Sequence, residues 1–171
     1  MDFPEKNSSF RKDPDPRRLG REFAMQYLFQ FDMNEDFDIK NLEYFWNQLD
    51  ESGVYPQNRV FRKSKEFAEK LIKGAIEKKK ETDETIAKYA TKWKIDRMAI
   101  VDRNILRIAV YEMLFCPEIP PVVSINEAVE IAKSFGGEES SSFVNGILNA
   151  IKNTLTRPAR EAVSKTGQQT S

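Results

Sequence analysis

DRNILRIAVYEML, the segment from Asp102 to Leu114, decides the fold because it is the most apolar helical pattern in the chain. Its apolar residues cover more than half of a helix circumference, which is typical of a helix buried on nearly all sides. The pattern predicts a helix from about Asp96, a good N-cap residue, to Phe115. Pro117 and two further prolines then end it. This helix is therefore predicted to form the centre of the molecule.

Six further helical patterns surround this one, and no stretch predicts a strand. The sixth of the seven begins with a predicted capping box at Ser124 and Glu127, in which each side chain bonds a free backbone N–H of the first turn. The other five predicted helices span about 16–32, 39–51, 60–79, 81–92 and 139–155. The apolar face of the fourth is predicted to include Trp93 at its end. The fold class is accordingly all-α, a bundle of seven helices.

The chain of 171 residues suggests one domain with short tails. Residues 1–15, rich in proline and charge, are predicted to form a disordered arm, and residues 157–171 a disordered tail. Residues 16–156 form the predicted ordered domain. No apolar stretch reaches the length of a membrane span, so we expect a cytoplasmic protein that contacts no membrane.

The composition argues against an enzyme. The chain has no histidine and a single cysteine, Cys116, which closes an apolar run and reads best as a small buried side chain. It contains no glycine-rich phosphate loop and no Cys/His cluster with metal spacing. We therefore expect no catalytic residues, no metal and no cofactor. The 27 basic and 27 acidic residues balance, which excludes a globally basic nucleic-acid binder but leaves room for a local basic patch.

One candidate patch lies at the start of the first helix. Arg17, Arg18 and Arg21 lie within one turn, so they are expected to project together. Guanidinium groups suit phosphate oxygens and stack on bases. The alternative is an ordinary solvated helix end, and composition alone favours it.

The second candidate is FGGEESSSFVNGIL, Phe135 to Leu148. Its Asn145-Gly146 pair is a hairpin signal, but the surrounding apolar residues follow helical spacing, so it reads as a joint between two helices. Phe143 lies at the edge of the apolar stripe and could stack on an unpaired base, as could Phe135, although core packing is the alternative for both. A glycine inside a helix costs about 1 kcal/mol against alanine. Close helix packing is the favoured explanation for Gly146, and a ligand the other.

Three segments together resemble the NusB family of bacterial transcription antitermination factors. They are DRNILRIAVYEML, VVSINEAVEIAKSFGGEESSSFVNGIL (Val122 to Leu148) and RRLGREFAMQYLFQFD (Arg17 to Asp32). The resemblance implies a fold of two three-helix bundles packed together, with seven helices. It implies binding of a single-stranded boxA element in ribosomal RNA leaders, together with the ribosomal protein NusE, in an antitermination complex on RNA polymerase. Some family members also form homodimers.

The resemblance also implies roles for individual residues. Arg17, Arg18 and Arg21 would contact RNA phosphates. Phe135 and Phe143 would contact bases, and Lys133, Glu139 and Asn145 would lie at the same RNA surface. Asp102 and Arg103 match a charged pair near both the RNA and the protein partner. This chain departs from the family by having fewer arginines in its basic segment, which predicts weak RNA affinity without the partner.

Two rival hypotheses keep the fold but change the function. The first is a helical adaptor or homodimer that binds only proteins. The second is a stand-alone relative of the NusB-like domain that precedes the catalytic domain in ribosomal RNA cytosine methyltransferases. The chain lacks a glycine-rich cofactor motif and a catalytic cysteine pair, which argues against the second.

Overall fold

The computed structural model describes residues 15–34 and 38–163. Within them lie seven α-helices, two short 3-10 helices (Ile39–Asn41 and Ile95–Arg97) and no sheet. The predicted N-terminal arm, apart from Asp15, and the last eight residues lie outside this part of the chain. No helix in it is long and apolar enough to cross a membrane. The α-helices are α1 Pro16–Met33, α2 Leu42–Glu51, α3 Arg59–Glu77, α4 Lys79–Tyr89, α5 Ile100–Phe115, α6 Pro121–Phe135 and α7 Ser140–Lys152.

The predicted central helix is α5, and the structure confirms its place. Leu106, Val110 and Met113 are almost fully buried, and α5 packs against α1, α3, α4, α6 and α7. Helices α1 to α3 form one group, joined by a cluster of edge-to-face aromatic rings around Phe23 and Trp46. Helices α5 to α7 form the second group, which α4 joins. The all-helical prediction with seven helices is therefore confirmed.

Gly20 allows α1 to lie close to α3. A Cβ atom at this position would lie 2.8 Å from both the ring of Phe67 and the backbone oxygen of Ser64. The close helix packing that the sequence suggested for Gly146 is found here instead.

Two predicted helix starts are wrong. Asp96 lies in the 3-10 helix Ile95–Arg97, and α5 begins at Ile100. Helix α6 begins at Pro121, whose ring favours the first turn, so Ser124 lies inside the helix and caps nothing. The Ser124 hydroxyl instead donates to the buried carboxylate of Glu112, at 3.2 Å. A buried carboxylate is costly unless donors bond it. Ser124 therefore bonds Glu112 and not the free N–H groups at the start of the helix.

The structure describes seven residues past the predicted domain boundary at residue 156. Residues 157–163 cross the turn between α5 and α6. The Arg157 guanidinium donates to the backbone oxygens of Cys116 and Ile119, at 3.2 and 3.0 Å. The backbone N–H of Val163 donates to the oxygen of Pro117 at 2.7 Å. Because the turn after α5 leaves carbonyl groups without helical partners, the first part of the tail supplies their donors.

Candidate RNA interface

The start of α1 presents one exposed arginine. The Asp15 carboxylate accepts from the backbone N–H of Arg17 at 3.0 Å and so caps the helix. The Arg17 side chain is exposed, and no carboxylate of the described residues forms an ion pair with it. It borders a recess of about 370 Å³ that Lys63, Lys70 and Phe67 of α3 also line. Asp15 and Glu66 line the same recess, so its three cations exceed its acidic residues by one. Solvent can enter it, and its exposed guanidinium is a candidate contact for a phosphate group.

Arg18 is tied to α6. Its guanidinium donates to both oxygens of Glu127, at 2.5 and 2.8 Å. The bond to Glu127 raises the pKa of Arg18, although partial burial opposes the shift. The pair fixes the start of α1 against the middle of α6, so Arg18 reaches an incoming phosphate only through its remaining exposed edge.

Arg21 points into the protein, and the expectation that three arginines project together is wrong. Its side chain is 3% exposed and forms a two-pronged ion pair with Glu112, with the shortest distance 2.7 Å. Its guanidinium also lies over the ring of Phe67, 5.1 Å from the centroid. Burial lowers the pKa of Arg21, but the bonds and charge of Glu112 outweigh it and leave the pKa raised. Arg21 therefore holds α1 to α5 and has no surface to offer RNA.

The two phenylalanines differ. Phe135, at the end of α6, is 8% exposed and belongs to the core. Its predicted stacking on bases is therefore incompatible with its position in this structure. Phe143 is partly exposed on α7, with its ring edge-to-face with Trp93 at 6.4 Å between centroids. Phe143 keeps one part of its ring at the surface, as its place at the edge of the apolar stripe predicted.

The joint between α6 and α7 is exposed and polar. Gly136 ends α6, and a Cβ there would collide with Ser140, whose hydroxyl accepts from the N–H of Gly137 at 2.9 Å. Lys133 and Glu139 are exposed on either side of this turn, and Lys133 pairs only loosely with Glu130, at 3.3 Å. Together they place a long cationic side chain and a carboxylate beside a turn whose backbone solvent can reach.

Asn145 and Gly146 occupy the outer face of α7. The Asn145 side chain is exposed and its oxygen accepts from Asn149 at 2.9 Å. Gly146 is exposed too, and a Cβ built on it would meet no atom within 4 Å. Close packing does not explain this glycine, and that prediction is wrong. It lines a groove with Trp93 and Phe143 instead.

The predicted partner contacts, Asp102 and Arg103, are mostly buried and interact with other residues of this chain. Asp102 is 8% exposed, and its Oδ1 atom has no hydrogen-bond partner among the described residues. Burial raises the pKa of Asp102, and a hydrogen bond from Ser140 only partly offsets this. A carboxylate buried in this way is poorly placed to meet a partner protein.

Arg103 organises the loop that precedes α5. Its guanidinium pairs with Asp32 at the end of α1 and donates to the backbone oxygen of Asp96 at 3.3 Å. Asp32 also accepts from Asn104 and Arg107, both at 3.0 Å. Burial raises the pKa of Asp32, but these donors outweigh it and leave the pKa lowered. Arg103 thus fixes loop geometry, and only its remaining edge faces solvent.

Sequence reasoning missed two groups at this surface. Trp93, which the sequence placed on the apolar face of the fourth helix, lies in a loop after α4 and is 57% exposed. Its signal was the run Lys92-Trp93-Lys94, an aromatic residue between two cations. Lys63 and Lys70 were missed because nothing in the sequence of α3 indicates that α1 begins beside them.

The single cysteine is poorly suited to act as a nucleophile. Burial raises the pKa of the Cys116 thiol to about 11, so it is not a nucleophile at neutral pH. The buried position expected for this cysteine is confirmed. Among the described residues, no group of acidic and cysteine side chains could hold a metal ion. The arrangement offers cations, a partly exposed aromatic pair and open backbone, which suits binding of a polyanion that carries planar rings.

Comparison with known proteins identifies the family. The model of the NusB family matches residues 18–153. The chain belongs to the NusB family. Transcription antitermination protein NusB of Bacillus cereus is 48% identical over 139 residues, which cover 81% of this chain and 98% of that protein. The Myxococcus xanthus protein of the same name is 41% identical over 142 residues, covering 83% and 98%.

Solved NusB structures have the same fold. The T. maritima NusB structure superposes with a TM-score of 0.69 at 39% identity, covering 86% of this chain and 96% of that one. A structure described as antitermination factors NusB and NusE in complex with dsRNA superposes with a TM-score of 0.67 at 28% identity, covering 82% and 98%. The family resemblance seen in the three sequence segments is therefore confirmed over most of the chain.

Proposed function

We propose that this NusB-family chain is a transcription antitermination factor that binds single-stranded boxA-type RNA of ribosomal RNA leaders. It does so in the cytoplasm, together with the ribosomal protein NusE, within an antitermination complex on RNA polymerase. It acts by holding RNA and performs no catalysis. Its membership of the family over residues 18–153 carries this proposal. The solved NusB structure that contains NusE and RNA supports the two partners.

The geometry supports a revised set of RNA contacts. Arg17 provides the exposed cation for phosphate, with the outer edge of Arg18 beside it. Lys133 is exposed near the end of α6, and Glu139 is exposed just before α7. On α7, Phe143 is partly exposed and Asn145 is exposed, and these four residues are kept as candidate contacts. Arg21 and Phe135 support this surface from within, and Asp102 and Arg103 support the adjoining loop.

A titration with two RNAs tests the function. A short labelled RNA that contains a boxA-type sequence is mixed with the protein, alone and with NusE, and a scrambled RNA of the same composition is the control. We expect boxA RNA to bind more tightly than scrambled RNA, and more tightly with NusE than without it. Equal binding of both RNAs, or no binding with NusE present, would contradict the proposal.

A further inference from the structure

The loop between α4 and α5 forms a groove with α7. The groove has a volume of about 460 Å³, and Trp93, Phe143 and Gly146 line it together with Lys92. Trp93 is more than half exposed, whereas the other tryptophan, Trp46, is buried and donates its indole N–H to Glu69. Aromatic residues are enriched at binding interfaces relative to the rest of a protein surface.

The loop that carries Trp93 is held in place. The N–H of Trp93 donates to the oxygen of Ala90 at 3.0 Å, and that of Met98 donates to Ile95 at 3.2 Å. The buried Met98 side chain anchors the end of the loop, and Arg103 bonds the backbone of Asp96. The backbone that carries the indole is therefore held at the surface, which reduces the entropy lost when a ligand binds the loop.

Gly146 keeps the groove open. A side chain at this position would project into the space beside Trp93 and Phe143, since no protein atom lies within 4 Å of a Cβ built there. A glycine inside a helix costs about 1 kcal/mol against alanine, and no close packing at Gly146 offsets this cost. An open wall beside two aromatic rings is the shape that a planar group needs.

The charge around the groove fits a nucleic acid. Lys92, Lys94 and Arg97 are all exposed, and no carboxylate of the described residues forms an ion pair with any of them. Lys94 and Arg97 line a second recess on the other side of Trp93. Asp96 is the acidic residue in the loop, and its carboxylate is exposed. Cations on both sides of an aromatic ring match a base whose flanking phosphates lie on either side.

We infer that Trp93 stacks on one unpaired base of the bound RNA, which enters the groove beside Phe143 and Gly146, while Lys92 and Lys94 contact its flanking phosphates. This rests on the proposed function, because the ligand is the same single-stranded RNA. It adds a base-binding position on the loop between α4 and α5, away from the arginines of α1.

The first test compares Trp93→Ala with Tyr44→Ala in the titration with boxA-type RNA and NusE. Tyr44 is the matched control, because it is an aromatic residue with the same 57% exposure, on α2. Loss of one stacked base should weaken binding about 5- to 150-fold for Trp93→Ala, with no change for Tyr44→Ala. Trp93→Phe should restore most of the affinity. Equal affinities for wild type and Trp93→Ala, with intact boxA preference, would overturn the inference and leave the proposed function standing.

The second test identifies the base. An abasic site is placed at each RNA position in turn, and binding is measured for wild type and Trp93→Ala. One abasic position should weaken binding to wild type but should not weaken binding to Trp93→Ala any further, because that variant has already lost the stacking. If every abasic position affects both proteins equally, Trp93 touches no base.

The third test separates RNA from a protein ligand. Binding of NusE without RNA is measured for wild type and Trp93→Ala, and we expect equal affinities. A loss of NusE affinity would show that the groove receives the protein and would overturn the inference.

Gly146→Leu fills the groove without removing an aromatic ring. It should fold and melt at or above the wild-type temperature, because leucine favours the helix over glycine, yet it should lose RNA affinity to a similar degree. Unchanged affinity would contradict the role given to Gly146.

Discussion

Arg17 and Arg21 lie four residues apart on one helix, yet the structure gives them opposite tasks. Arg17 is exposed, whereas Arg21 forms a buried pair with Glu112. Arg21→Ala would leave Glu112 buried and unpaired, so we expect a loss of about 3–5 kcal/mol in the free energy of unfolding. Arg17→Ala should change it by less than about 0.5 kcal/mol. Urea unfolding of both variants measures this, and equal stabilities would show that Arg21 is not buried as described.

Asp102 makes the stability depend on pH in a predictable direction. Burial raises its pKa in the folded protein, so the folded state binds the proton more tightly than the unfolded state does. Stability from this group is therefore lost as pH rises from the ordinary aspartate pKa through the raised value. Between about pH 4 and about pH 7, Asp102→Asn should lose less stability than wild type. Unfolding curves at both pH values check this, and a parallel change in the two proteins would contradict it.

The buried pair could have been recognised from the sequence. Arg21 lies four residues before Met25 and seven before Leu28, so it shares their buried face. Glu112 lies at the same spacing from Ile108 and Ile105 on α5. Two opposite charges on two apolar stripes indicate an internal ion pair. The partners of Arg18 and Arg103 could not be found in this way, because these pairs are only partly buried and do not lie on the apolar stripes of their helices.

At the scale of the element, one substitution in α7 should make the protein more stable. Gly146 lies in the middle of the helix with open space around it. Gly146→Ala should raise the free energy of unfolding by about 1 kcal/mol, because alanine favours the helix and nothing obstructs its methyl group. Denaturant midpoints measure the change. A destabilised alanine variant would mean that a neighbouring element packs more closely on α7 than the structure shows.

The helices themselves were largely predictable, and their ends were not. Periodicity placed α5 and α7 correctly because their apolar stripes are long and regular. The predicted capping box of α6 failed because Ser124 is needed beside Glu112, a tertiary requirement that no local motif records. Trp93 was assigned to the fourth helix because its apolar character fitted the stripe, although α4 ends at Tyr89.

At the scale of the whole molecule, a chain without net charge can still offer a surface for a polyanion through the placement of its charges. Acidic residues such as Glu127 and Glu112 are paired with arginines that fix the helices. Arg17, Lys63, Lys70, Lys92 and Lys94 remain exposed around three recesses. Composition could not reveal this separation, since it requires the packing of α1 on α3 and of the loop before α5 on α7.

The central claim is that this surface binds RNA through its exposed cations. The most direct measurement is the affinity for boxA-type RNA with NusE across a series of salt concentrations, for wild type and Arg17→Ala. We predict that the logarithm of the affinity falls linearly with the logarithm of salt concentration, and that Arg17→Ala reduces the slope by about 0.7 for one lost phosphate contact. The same slope in both proteins would remove Arg17 from the interface, and an affinity independent of salt would contradict the account as a whole.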